Sequence, residues 1–162
     1  DASENIEDWT DEDQVAAYLT EVVSGRGFDG SGLIYGLGHA VYTLSDPRAV
    51  IIKKYARKLA HEKGRDDKLA LLENIEKLGP EVMRDVRGVT KPICANIDLY
   101  TGFVYSMLGI PADMYTSIFA MARLAGWCAH RMEELYGAGR IIRPAYNSIM
   151  GNGDYVPMSE RK

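Results

Sequence analysis

The sequence predicts an all-α protein. Apolar residues recur with a helical period along most of its 162 residues. Glycine and proline fall at the ends of the periodic runs, and nothing alternates with period two for long enough to build a sheet. The first clear helix spans about 11–24, where Val15, Tyr18, Leu19, Val22 and Val23 share one face. Thr10-Asp11-Glu12-Asp13 supplies an acidic first turn and Gly25 follows its end. Gly25, Gly27, Gly30, Gly32, Gly36 and Gly38 crowd the next stretch, which therefore reads as loop. Asp46-Pro47 then forms an N-cap followed by proline at the first helical position. Ile52, Tyr55, Ala56 and Leu59 give that helix its inner face, and Gly64 ends it.

Asp67 opens a shorter helix with Leu72, Ile75 and Leu78 inward, and Gly79-Pro80 is expected to stop it. A further short helix is expected over about 81–86. Asp98 to Leu108 reads as one more, closed by Gly109 with Pro111 close behind. The longest helix is expected from about Met114 to Tyr136. Ile118, Met121, Ala122, Ala125, Ala129, Met132 and Leu135 form a broad apolar face, and Phe119, Gly126 and Trp127 occupy the other side. Such a helix is expected to be buried on most sides by partner helices, and to expose apolar surface, to be covered by oligomerisation, where those are absent. Beyond Gly137 the chain becomes irregular, an extended tail with Arg143-Pro144 and Tyr155-Val156-Pro157.

The totals bound the function. Hydrophobic residues are 46% of the chain, enough for a core at this length. The net charge of -4 argues against non-specific nucleic-acid binding, which needs a basic surface. No apolar run approaches the ~20 residues of a membrane span. Cys94 and Cys128 lack metal or redox spacing and read as reduced, buried thiols of a cytoplasmic protein. His39, His61 and His130 show no helical pairing, so no metal site is expected. His61 lies in a charged helix end and reads as solvated, whereas His130 beside Trp127 reads as a core histidine. The first residues form no signal-peptide pattern, and without an initiator Met the chain reads as a piece of a longer protein.

One stretch carries chemistry: Gly36-Leu37-Gly38-His39-Ala40-Val41-Tyr42-Thr43-Leu44-Ser45-Asp46-Pro47-Arg48. Two glycines let backbone approach a ligand just before a histidine. Nine residues on, an arginine sits in the first turn of a helix, where guanidinium and helix N-terminus would both meet an anion. This reads as a His-plus-Arg site for a carbonyl compound bearing carboxylates. A plainer alternative stays open: a loop histidine satisfied by backbone groups, and an arginine in a surface salt bridge.

This stretch resembles the signature of citrate synthases: Gly, a small or aromatic residue, Gly-His, then Asp-Pro-Arg at this spacing. Leu37 departs from it, standing where the family more often has Phe, Tyr or Ala. Asn96-Ile97-Asp98-Leu99-Tyr100-Thr101-Gly102 resembles the family segment with the catalytic aspartate. Tyr115 to Gly126 resembles the long helix that carries a substrate-binding arginine, and Arg143-Pro144 the segment lending an arginine to the neighbouring subunit. The resemblance implies condensation of acetyl-CoA with oxaloacetate and hydrolysis of citryl-CoA. It implies catalytic roles for His39, as donor to the ketone, and Asp98, as base. Arg48, Arg123 and Arg143 would bind carboxylates, Arg143 across a homodimer interface. Leu33, Ile34, Tyr35, Gly36, Leu37 and Gly38 would pass the adenine of CoA with their backbone, and Lys91 and Asn96 are further CoA candidates.

No tightly bound cofactor is implied; CoA enters as substrate and product. Residues 1–113 would be a small helical domain and 114–162 the last part of a large one. The family's remaining two histidines precede the matching region, and this chain has none before His39. The chain alone is therefore expected to be inactive. 2-Methylcitrate synthase, which uses propionyl-CoA, and a non-catalytic CoA-binding or interaction module are the alternatives.

Overall fold

The computed structural model describes residues 1–137 and 157–160. Six α-helices are described: α1 (Ala2–Asn5), α2 (Glu12–Val23), α3 (Pro47–Lys63), α4 (Asp66–Arg87), α5 (Asp98–Met107) and α6 (Tyr115–Tyr136). Short 3₁₀ turns cover Ala112–Met114 and Met158–Glu160. Among the described residues the only extended pairing is one isolated antiparallel bridge, Leu37 to Ala95. The all-α expectation holds.

The helix starts follow their caps. Asp11 accepts the N–H groups of Asp13 (2.9 Å) and Gln14 (3.3 Å) and so opens α2. Asp46 does the same for α3, accepting the Arg48 N–H at 3.0 Å with Pro47 in the first turn. Gly64 and Gly88 close α3 and α4 in the left-handed conformation.

Helix α4 departs from expectation. It runs unbroken through Gly79-Pro80 for 22 residues where two short helices were expected. Pro80 has no N–H to return to the Glu76 carbonyl, a local cost of ~3 kcal/mol. Its apolar stripe nevertheless continues past the proline. Leu71, Leu78 and Val82 are all buried with Val15, Leu19, Val22 and Val23 of α2. Gly79 also lets Leu37 lie against the helix, since a Cβ there would stand 2.3 Å from Leu37 Cδ1. Packing on both sides outweighs one lost hydrogen bond.

The chain divides into two units, residues 1–119 and 120–162. The first holds two apolar clusters. One joins α2, α4 and Ile34; the other joins Ala56 and Ala60 of α3, Leu69, Ala95, and Leu99, Tyr100 and Val104 of α5. Leu37 and Ile75 touch both. Helix α6 starts in the first unit and continues in the second, and none of its residues is buried in this chain. Its apolar faces are exposed, as expected where partner helices are absent. His130, expected in a core, is exposed with Nδ1 3.1 Å from Glu133. Cys128 is exposed too, and Cys94 is only half-buried, its thiol donating to the Tyr42 carbonyl at 3.6 Å.

Candidate functional site

The stretch from Gly36 to Arg48 is held against the start of α5 by a short antiparallel strap. The Gly38 N–H donates to the Cys94 carbonyl and the Asn96 N–H to the Gly36 carbonyl, both at 2.8 Å. Gly36 has φ of +90°, and a Cβ on it would lie 2.9 Å from Leu99 Cα and Cβ. Only glycine allows this approach. Asn96 completes the strap. Its Nδ2 donates to the Gly38 carbonyl at 2.8 Å, and its Oδ1 accepts the Asp98 N–H at 2.9 Å. One side chain thus ties the histidine loop to the first residue of α5. The CoA contact expected of Asn96 has both ends of its amide already engaged within the chain.

His39 follows this strap. Its Nδ1 accepts the backbone N–H groups of Val41 (3.0 Å) and Tyr42 (3.2 Å). The neutral ring therefore carries its proton on Nε2. Arg48 Nη2 lies 3.3 Å from that Nε2. Two N–H donors cannot satisfy each other, so this contact is not a hydrogen bond. Both groups converge on a place that calls for an oxygen acceptor. The Tyr42 ring lies beside them, 4.9 Å from the imidazole centroid and 5.4 Å from the Arg48 guanidinium carbon.

Arg48 is aimed by Asp46. The buried carboxylate accepts Nε at 3.0 Å and Nη2 at 2.8 Å. Asp46 is 1% exposed, while the Arg48 side chain keeps 42% of its surface. The guanidinium hydrogen bonds hold the Asp46 carboxyl down at about 2, against burial, which pushes the other way. Arg48 is raised in turn, first by Asp46 and to a lesser degree by the charges of Tyr42 and Asp98. The influence of Asp98 places that carboxylate in the same electrostatic neighbourhood.

Asp98 is the first residue of α5, exposed, and not its N-cap, which is Ile97. Among the described residues no hydrogen bond engages its carboxylate. Both halves of the plainer alternative hold for one side of each group: His39 Nδ1 is satisfied by backbone and Arg48 by a salt bridge. The other sides, Nε2–H and the outer guanidinium, remain available.

The structure thus brings His39 and Arg48 together, with the Asp98 charge acting only weakly on Arg48. It places Leu33 and Tyr35 at the surface, while Ile34 is buried and Leu37 packs on Gly79, so these two point inward. Lys91 is exposed. Arg123 lies in the second unit, and Arg143 is outside the described residues. Two residues were not singled out for the site from sequence: Tyr42, and Asp46 as more than a cap. A signal for Asp46 was present, because a capping aspartate two positions before an arginine in Asp-Pro-Arg puts both side chains on the same first turn.

Helices tied by a glycine strap, with a histidine, a guanidinium and a carboxylate at loop–helix junctions, define an all-α domain. Residues 1–145 match the model of the citrate synthase C-terminal domain. The citrate synthase of Synechocystis sp. is 42% identical over 129 residues, 79% of this chain and 31% of that protein. The 2-methylcitrate synthase of Shewanella oneidensis is 36% identical over 99% of this chain and 37% of its own length. A solved ternary complex of citrate synthase from Thermoplasma acidophilum, with carboxymethyl coenzyme A and oxaloacetate, matches with a TM-score of 0.64 and 30% identity. That match covers 99% of this chain and 42% of the solved one. The chain belongs to the citrate synthase family. It spans about a third of the length of the curated relatives it matches.

Proposed function

We propose that this chain supplies one wall of a citrate synthase active site, condensing acetyl-CoA with oxaloacetate and releasing citrate and CoA. The observation that carries the reading is the convergence of His39 Nε2–H and Arg48 Nη2, two donors 3.3 Å apart with no acceptor shared between them among the described residues. A ketone next to a carboxylate supplies both missing acceptors. His39 donates to the ketone oxygen as negative charge develops there, and Arg48 holds the carboxylate with a permanently charged, planar group. Asp98, exposed and unengaged, removes the thioester α-proton. That proton is so weakly acidic that removal needs a donor on the enolate oxygen as well.

The solved relative with carboxymethyl coenzyme A and oxaloacetate supports these ligand classes. Arg123 and Arg143 complete carboxylate binding, Arg143 from a partner copy in a homodimer. Leu33 to Gly38 run beside the adenine of CoA, next to an apolar recess of about 230 Å³ between Tyr18, Phe28, Leu33, Ile34 and Tyr35. Exposed Lys91 is a further CoA candidate, whereas the Asn96 amide serves the strap first. Residues 1–113 act as the small domain and 114–162 as the end of the large one.

The test is release of free thiol from acetyl-CoA by a whole-length protein carrying this chain. Turnover is expected only with oxaloacetate present, and His39→Ala is expected to lower kcat by about 10²-fold or more. The 162-residue chain alone is expected to release none, because a base without its enolate donor loses several kcal/mol of transition-state stabilisation. Full turnover by the His39→Ala protein would refute the assignment. The match to a 2-methylcitrate synthase supports a second reading, with propionyl-CoA as substrate. One methylene is worth about 1–3 kcal/mol in a pocket, so the ratio of kcat/KM for the two thioesters decides between them.

A further inference from the structure

Helix α3 carries Arg48 in its first turn, and α5 begins with Asp98. The two helices pack through Ala56, Ala60, Leu99 and Val104. Apolar contact of this kind is non-directional and by itself leaves two helices free to slide or roll by fractions of an ångström. A polar bridge lies beside this contact. Lys53, five residues after Arg48, places Nζ 2.5 Å from Glu76 Oε2 of α4. The Tyr100 hydroxyl, two residues after Asp98, donates to the same Glu76 oxygen. Lys53 also sits 5.5 Å above the Tyr100 ring and 3.6 Å from Glu73, which Arg57 meets at 2.7 Å.

We propose that Tyr100, Glu76 and Lys53 are positioning residues: one carboxylate oxygen of α4 fixes the helix of Arg48 against the helix of Asp98, and thereby the spacing of anion-holder and base. The proposal rests on the functional reading above. Three features support it. Tyr100 is the largest fully buried side chain of the described residues, so its hydroxyl has no solvent to turn to. Burial, and next the Glu76 hydrogen bond, keep the phenol protonated far above physiological pH, so it is a constant donor. The charges balance, with two cations of α3 facing two carboxylates of α4. A network of this kind adds little net stability over an apolar replacement, and its value lies in geometry. Geometry is what the reaction needs, since a misplacement of ~1 Å can cost about 10²-fold in rate.

The experiment uses the whole-length protein. Tyr100→Phe keeps the ring and removes only the hydroxyl. Its kcat is expected to fall about tenfold. Val104→Ala, which opens the same apolar cluster without touching the bridge, is expected to lower the melting temperature at least as far and leave kcat within twofold. Glu76→Gln retains an acceptor and should recover most of the rate that Glu76→Ala loses. Parental kcat in Tyr100→Phe, or an equal loss in Val104→Ala, overturns the proposal. A parent protein that shows no oxaloacetate-dependent turnover refutes the functional reading instead. The bridge is then decided by the crystal structure of Tyr100→Phe. A change of about 0.5 Å or more in the Arg48–Asp98 separation supports it, and an unchanged separation overturns it.

Discussion

Asp46 shows how one side chain can serve a helix and a site together. Its carboxylate caps α3 through the Arg48 N–H and holds the same residue's guanidinium through Nε and Nη2. Asparagine can still cap a helix but cannot balance the guanidinium charge. The Asp46 carboxyl lies near 3.8 when unfolded and is held at about 2 in the fold. A depressed carboxyl stabilises the fold above its unfolded pKa, and that contribution fades as pH falls through the folded value. Asp46→Asn is therefore expected to cost about 2 kcal/mol at pH 7. The gap to the parent should shrink as pH falls from 4 toward 2. Urea unfolding at several pH values checks both the size and the sign.

Gly36 is the second residue whose identity the geometry dictates. Its φ of +90° already strains any other side chain, and the nearest obstacles to a Cβ are Leu99 backbone and Cβ atoms, which cannot swing aside. Gly36→Ala is expected to destabilise by about 3 kcal/mol, strain and clash together. Because Leu99 follows Asp98 directly, the same substitution should displace the carboxylate, so activity should fall further than stability. Denaturation and thiol-release assays on one variant separate the two effects. Much of this site was legible in the sequence. Glycine before histidine and Asp-Pro-Arg nine residues on are local patterns. The partnership of Asn96 with Gly38 was not legible, because it joins residues 58 apart. No local rule distinguishes an asparagine that contacts ligand from one that fastens a loop.

Among the elements, α2 and α3 were readable from capping residues and periodic apolar faces, and α5 from Asp98 at its start and Gly109 just past its end, since these are short-range properties. Helix α4 departs from the sequence expectation at Gly79-Pro80 because the local penalty there is not decisive. The opposing signal was also in the sequence: Leu71, Ile75, Leu78 and Val82 keep the helical phase across the proline. The structure shows long-range packing against α2 prevailing. The balance can be measured. Pro80→Ala restores the N–H for the Glu76 carbonyl, a gain of ~3 kcal/mol in a helix interior. It gives up part of a half-buried ring, and it frees the unfolded chain by up to about 1 kcal/mol. A net stabilisation of about 1 kcal/mol or more is expected, read as a higher melting temperature in calorimetry. A lower one would mean that the proline ring itself holds α4 against its neighbours.

At the scale of the whole molecule, α6 exposes what other helices bury. Met121, Leu124, Trp127, Met132 and Leu135 are all more than half exposed in this chain, Trp127 at 56%. Exposure of this half was expected where partner helices are absent, although periodicity alone reports that a face is apolar and not what covers it. A soluble monomer rarely leaves a contiguous apolar face of more than a few hundred Å² in water, and each such side chain gains about 1.5–3 kcal/mol when covered. The chain on its own should therefore self-associate through α6. Sedimentation over a range of concentrations is expected to show a mass rising above 18.0 kDa. Leu124 and Trp127 stand three residues apart and share a face of the helix. Replacing both with lysine puts two like charges into any contact that uses this face, and should return the chain to a single 18.0 kDa species. Neither residue belongs to the Asp46–Arg48–His39 cluster, so the Asp46 contribution to acid stability should survive in the double variant. Association that persists after both substitutions would move the sticky surface elsewhere, to Val41 and Leu44 beside His39, which are the most exposed large apolar residues before α6.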